Sequence, residues 1–137
     1  MPVFNDTEHL YSILMPYFQE LKDNPKIWPK IRASGLVIQF RYRSPEGVIT
    51  IDCPGEEIIR GEEGVKPVLT MSMTAKTSHK FWLGKLNLAT ALLTREIVAK
   101  GQVAAALKLI PALKDAFPAY HDFLKRNGMG DKIKNWN

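Results

Sequence analysis

Three histidines and one cysteine are the side chains of this 137-residue chain with the greatest potential for chemistry. Hydrolysis requires a nucleophile, a base and an orienting group held together. His9, His79 and His121 fall in no such motif and have no metal-ligand spacing, although His79 is notable for its neighbour Lys80. Cys53 ends an alternating apolar pattern, which favours a small buried residue over a nucleophile. We therefore expect a protein that is not an enzyme.

Two glycine-rich stretches, residues 61–64 and 128–130, could in principle cradle a phosphate. Neither follows a predicted strand and opens a predicted helix, so both are interpreted as turns and no cofactor is expected. Basic residues are not concentrated on one element, and the aromatic-rich strand motif of RNA-recognition domains is absent. The sequence therefore predicts no nucleic-acid partner and no metal.

The composition is that of a globular chain, with 45% hydrophobic and 24% charged residues and a net charge of +5. This length predicts one domain over residues 1–137. No apolar run approaches the ~18 residues of a membrane span, residues 1–6 do not resemble an export signal, and a single cysteine suits a reducing compartment. We expect a cytoplasmic location.

Basic residues between positions 76 and 108 have few acidic neighbours in the sequence, with Glu96 as the exception. A basic rim around an apolar opening would attract a fatty carboxylate or make transient contact with an anionic membrane surface. The alternative interpretation is a solvated face. Both remain open from the sequence.

Periodicity predicts two helices followed by strands. Asp6 is a plausible N-cap for a helix with apolar residues three and four apart up to Leu21, and Pro16 predicts a kink or break near residues 12–15. Asn24 and Pro25 begin a second short helix that ends at Gly35.

Alternation with period two then predicts strands from residue 36, over residues 48–53, 57–60 and 68–73, and at 96–100. We expect the first four to form a meander. Helices are predicted over residues 74–83, 87–93, 102–110 and 118–127, with a loose tail over 131–137. The order indicates an α+β layer fold.

The helix that opens after Gly101 has an unusually wide apolar stripe. Val103, Leu107 and Ile110 fall on one face, but Leu109 and Leu113 extend the apolar surface beyond the ~100° that a surface helix buries. A protein that encloses an apolar guest would have this pattern. A helix clamped between a sheet and its neighbours would have it too.

Residues 8–113 resemble the sterol carrier protein type two sterol-binding domain. The resemblance rests on Thr70-Met71-Ser72, Leu83-Gly84-Lys85-Leu86-Asn87, Ala91, Ile97, Lys100-Gly101 and Leu107-Lys108-Leu109. It implies a five-stranded, largely antiparallel sheet covered on one face by helices, with an apolar tunnel between the layers for sterol, fatty acid, acyl-CoA or phospholipid. The family has no catalytic residues to carry over. Residues 113–137 form a closing helix and tail outside the resemblance.

We therefore predict non-catalytic binding and transfer of hydrophobic ligands. The alternative is an adaptor with a filled core that docks on a partner protein or an anionic membrane. The candidate tunnel walls are Ile38, Phe40, Leu69, Met71, Met73, Phe81, Trp82, Leu86, Leu92, Val103, Leu107 and Ile110. An empty void of ~400 Å³ would cost about 10 kcal/mol at ~24 cal/mol per Å³, so we expect that the unliganded tunnel narrows by helix movement or that the protein is purified with a lipid inside.

Overall fold

The computed structural model of the protein describes residues 2–134. The strands are β1 (Val37–Arg43), β2 (Gly47–Asp52), β3 (Glu57–Arg60), β4 (Leu69–Thr74) and β5 (Val98–Gly101). The helices are α1 (Thr7–Asp23), α2 (Trp28–Arg32), α3 (Ala75–Trp82), α4 (Leu88–Thr94), α5 (Val103–Lys108), α6 (Ile110–Leu113) and α7 (Ala116–Arg126), followed by a 3-10 turn at Gly130–Ile133.

The five strands form one sheet in the order β3-β2-β1-β4-β5. All neighbours are antiparallel except β1 and β4, which are parallel. The predicted α+β class and largely antiparallel sheet are confirmed. The predicted four-strand meander is wrong, because β4 joins β1 at the centre of the sheet instead of continuing from β3.

The loop of residues 61–68 makes this crossing over the polar face of the sheet. The Thr50 hydroxyl donates a hydrogen bond to the Gly61 carbonyl at 2.8 Å, and Arg41 forms an ion pair with Glu62. At the far end the Val68 amide donates to the Val37 carbonyl at 3.0 Å. Backbone and side-chain polar groups on this face are thus satisfied, since a passing loop supplies the partners.

Alternation along β1 separates the two faces of the sheet. Ile38, Phe40 and Tyr42 are buried against the helices, whereas Arg41 and Arg43 are exposed on the opposite face. The core therefore lies between one face of the sheet and the helical layer.

Helix α1 begins where the sequence predicts, since the Asp6 carboxylate accepts a hydrogen bond from the His9 amide at 2.8 Å. Of the predicted kink or break near residues 12–15, the break is wrong, because the helix continues through Pro16 to Asp23, and the kink stays a prediction. Pro16 is exposed, while Leu14 and Tyr17 on either side of it are buried in the core. Packing of the apolar face on both sides compensates for the hydrogen bond that proline removes.

The caps of α3 and α4 are also those expected. Thr74 and Asn87 accept hydrogen bonds from the amides of Thr77 and Thr90, both at 3.0 Å, and Gly84 has the left-handed conformation that ends α3. Strand β5 starts two residues later than predicted. The helix predicted over residues 102–110 is shorter, since α5 ends at Lys108 and the separate helix α6 begins at Ile110. The helix predicted over 118–127 begins at Ala116. Of the predicted tail, residues 131–133 lie in the 3-10 turn and 135–137 lie outside the described residues.

Helix α7 packs an aromatic cluster against α1 and α3. The Tyr17 ring contacts the rings of Trp82 and Tyr120 at centroid distances of 5.4 and 4.7 Å. The Tyr17 hydroxyl donates to the Ala116 carbonyl at 2.9 Å. No helix between residues 2 and 134 combines the length and apolar character needed to cross a bilayer.

Candidate functional site: an apolar cavity between the layers

The floor of the candidate site is built by cross-strand neighbours on the helix-facing side of the sheet. The strand register aligns Ile58, Ile51, Ile38 and Leu69 in one row across four strands. In a parallel row one step along, Phe40 lies beside Met71. Side chains at alternate positions of each strand share a face, so the register delivers a continuous apolar floor.

Helical side chains close the site from above. The Phe18 ring stacks on Phe40 with centroids 5.6 Å apart, and Trp82 meets Phe18 edge to face at 5.4 Å. Trp28 is fixed at another position of the wall, where its indole N–H donates to a Glu56 carboxylate oxygen at 3.2 Å. The helices and the segment before β5 contribute Phe18, Leu21, Trp28, Ile31, Phe81, Trp82, Leu88, Ile97, Ala106, Leu109 and Leu113 to the lining.

Between floor and roof lies a cavity of about 50 Å³ whose lining residues are all apolar. At ~24 cal/mol per Å³, such a void costs on the order of 1 kcal/mol, which a folded domain tolerates easily. An apolar cavity that holds one benzene molecule measures ~150 Å³. This interior therefore has no space for a fatty chain unless the layers move apart.

Seven of the twelve residues predicted from the sequence line this cavity: Ile38, Phe40, Leu69, Met71, Met73, Phe81 and Trp82. The other five lie elsewhere in this structure. Leu86 and Ile110 line an outer groove between the α3–α4 turn and the segment from α6 to α7. Leu92 and Val103 are half-buried against the core, and Leu107 is 38% exposed. Whether any of the twelve contacts a lipid stays a prediction.

Sequence reasoning missed the lining residues of α1 and α2, such as Phe18 and Trp28, because the motifs of the resemblance lie downstream. The sequence carries a signal for them, since both recur with other apolar residues at helical spacing. It also missed Ala106 of α5 and Leu109, which caps the end of that helix. The wide apolar stripe of α5 allows several rotations about its axis, and the helix presents these two residues instead of Leu107.

The part of the roof made by α5 and α6 is attached differently from α7. Among the described residues, no side chain of residues 103–113 forms a hydrogen bond or ion pair with another element. By contrast, α7 is connected through Tyr120 to His79, through the His121 imidazole to the Leu83 carbonyl at 3.0 Å, and through Arg126 to Glu20 at 2.7 Å. Apolar packing alone therefore holds the α5–α6 cover on the cavity.

His79 is buried and takes no part in the cavity wall. Its Nε2–H donates to the Lys132 carbonyl at 2.9 Å, which leaves Nδ1 to accept from the Tyr120 hydroxyl at 2.7 Å. Burial lowers the pKa of His79 below its usual value, and positive charge on Lys132 acts in the same direction. His79 is thus a neutral link between α3, α7 and the 3-10 turn.

Cys53 is fully buried, as expected, and burial raises the pKa of its thiol. Among residues 2–134 no three histidine, cysteine, aspartate or glutamate side chains are grouped as a metal site would require. Among residues 2–134 the candidate for a functional site is therefore the apolar cavity.

Comparison with known proteins identifies the source of this architecture. The family model described as the SCP-2 sterol transfer family matches residues 18–114. The chain belongs to this family. The matched segment contains the whole sheet and every lining residue of the cavity. No curated protein sequence matches the chain.

Solved structures agree with the family assignment. Sterol carrier protein 2 of Yarrowia lipolytica in its apo form superposes with a TM-score of 0.62 at 14% identity, covering 80% of this chain and 91% of that one. Sterol carrier protein domain 2 of Helicoverpa armigera superposes with a TM-score of 0.59 at 23% identity, covering 75% of this chain and 87% of that one. Palmitated SCP2L2 of Aedes aegypti superposes with a TM-score of 0.53 at 17% identity, covering 71% of this chain and 90% of that one. At these identities the likeness establishes the fold.

Proposed function

We propose that this SCP-2 family chain binds hydrophobic ligands in the cavity between its sheet and helices and carries them without chemical conversion. The observation that carries the proposal is the wholly apolar lining of an interior cavity at the centre of the family-matched segment. Support comes also from the palmitated Aedes aegypti relative with the same fold. The filled-core adaptor is not favoured, because the chain belongs to the SCP-2 sterol transfer family.

Binding requires the cavity to widen, and the α5–α6 cover is the element suited to move. It contributes Ala106, Leu109 and Leu113 to the lining and is held by packing alone. A ligand that displaced the cover would replace these apolar contacts with its own chain, so the exposed apolar area would change little. Helix α7 would stay in place, since its hydrogen bonds and ion pairs connect it to α1 and α3.

The energetics suit a carrier. Burying a chain of about sixteen carbons gains on the order of 12 kcal/mol at ~0.8 kcal/mol per methylene, and a bilayer offers the same gain. Rough parity with the membrane permits both uptake and release. Met71 and Met73 suit varied guests, because the unbranched thioether adapts to different shapes.

Quenching of intrinsic fluorescence tests the proposal directly. Trp28 and Trp82 line the cavity, so a fatty acid brominated along its chain should quench both with a saturable, one-to-one titration. A Trp136→Phe background leaves these two as the only tryptophans in the sequence. Absence of saturable quenching, together with no lipid on organic extraction and mass spectrometry of the purified protein, would overturn the proposal.

Ligand class and location complete the proposal. Sterols, fatty acids, acyl-CoA and phospholipids share the apolar portion that the cavity would hold, and competition titrations against the brominated fatty acid rank them.

Transfer between vesicles, with and without anionic phospholipid, measures the transient membrane contact expected from the basic residues. A single buried thiol, Cys53, suits the reducing cytoplasm as the proposed location.

A further inference from the structure

An outer groove of about 380 Å³ lies directly beside the cavity, between the α3–α4 turn and the segment from α6 to α7. Three side chains, Phe81, Leu88 and Leu113, line both the groove and the cavity. They are therefore the partition between the two spaces. Phe81 is the central member, since its ring meets Trp82 of the cavity at 5.0 Å and Phe117 of the groove at 5.7 Å, both edge to face.

The groove combines apolar walls with basic residues at its rim. Lys85 and Lys114 are exposed and line it, and its described lining contains no aspartate or glutamate. The nearest acidic residue in sequence, Asp115, is paired with Lys30 at 3.6 Å. Asp122 lies in a neighbouring depression that shares Lys114. A surface that is apolar at its base and cationic at its edge complements an anionic amphiphile.

We infer that this groove is the mouth of the ligand site, and that Lys85 and Lys114 bind the anionic headgroup of a single-chain amphiphile whose tail passes into the cavity. The inference rests on the proposed function and specifies the ligand as a long-chain carboxylate. The tail would pass where Leu113 meets Phe81 and Leu88, because Leu113 belongs to the cover that only packing retains.

This route fits the chemistry of both ends of such a ligand. A carboxylate cannot enter a cavity lined only by apolar side chains without a large desolvation cost. At the groove the carboxylate would stay hydrated and would form solvent-exposed charge pairs with the ammonium groups of Lys85 and Lys114. The hydrocarbon tail would meanwhile move out of water and into the cavity.

The test compares dodecanoate with dodecanol, two probes of equal chain length that differ in charge. The Lys85→Glu/Lys114→Glu double variant should weaken binding of dodecanoate at pH 8 by about tenfold or more, because two exposed attractive charge pairs are replaced by repulsive ones, and change dodecanol affinity less than about twofold. The matched control is Lys26→Glu/Lys66→Glu, which makes the same charge change at exposed residues outside the groove, the cavity and the cover. It should leave both affinities within about twofold.

The outcomes separate the inference from the function on which it rests. If the wild-type protein binds neither probe, the proposed function fails. If it binds both and the groove variant loses neither or loses both equally, the function stands and the mouth lies elsewhere. If the groove variant keeps dodecanoate affinity but no longer sediments with phosphatidylserine vesicles, the groove is a membrane-docking surface and the inference is overturned.

Discussion

Filling the cavity from the α5 side should abolish most lipid binding while preserving the fold. Ala106 is 4% exposed and lines the cavity, so Ala106→Leu places three additional carbons inside it. Those carbons exclude about three methylenes of a bound chain, which at ~0.8 kcal/mol each amounts to about 2.4 kcal/mol, or a roughly 60-fold increase in the dissociation constant. Titration with the brominated fatty acid measures this increase.

The free energy of unfolding should change little, because burial of the added carbons stabilises the fold while overpacking destabilises it. Burial of three carbons contributes about 2.4 kcal/mol, and overpacking costs typically about 1 to 3 kcal/mol. Ala104→Leu is the matched control, since Ala104 is exposed on the same helix, and its affinity should equal that of the wild type. A folded Ala106→Leu variant with unchanged affinity would show that the ligand lies outside this cavity.

Three further predictions concern the attachment of α7 to α1 and α3 and the α5–α6 cover. Tyr17→Phe removes the hydrogen bond from the Tyr17 hydroxyl to the buried Ala116 carbonyl, which still accepts within the first turn of α7, and should reduce the free energy of unfolding by about 0.5 to 1.5 kcal/mol in a denaturant titration. Because burial lowers the pKa of His79, the unfolded chain binds more protons below about pH 6.5; the wild type should therefore lose stability on acidification, and His79→Asn should lose less over the same range. In hydrogen exchange, amides of residues 103–113 should exchange faster than those of 116–126 and slow when fatty acid is bound, whereas equal protection of the two segments would contradict a mobile cover.

Local sequence signals predicted the elements and their faces well. Alternation placed Ile38 and Phe40 on the buried side of β1, and the side-chain caps at Asp6, Thr74 and Asn87 act as expected. These features depend on interactions within a few residues of the chain, which is why a single sequence reveals them.

The neighbours of each element could not be predicted in the same way. Alternation assigns a strand to a face but does not identify its partner, so β4 was expected beside β3, whereas the crossing loop brings it to β1. Helical periodicity likewise left the rotation of α5 open. The structure buries the small Ala106 and leaves the larger Leu107 partly exposed, because the packing of the whole layer decides which face is covered.

The anchoring of α7 has a practical consequence for the boundaries of this protein. The family-matched segment ends at residue 114, yet Tyr17 and His79 within that segment obtain buried hydrogen-bond partners from beyond it. A fragment cut at residue 114 would keep every lining residue of the cavity and still expose the aromatic surface that Tyr120 and Phe123 cover. We therefore expect a fragment that stops at residue 114 to be less stable to denaturant than a fragment that includes α7.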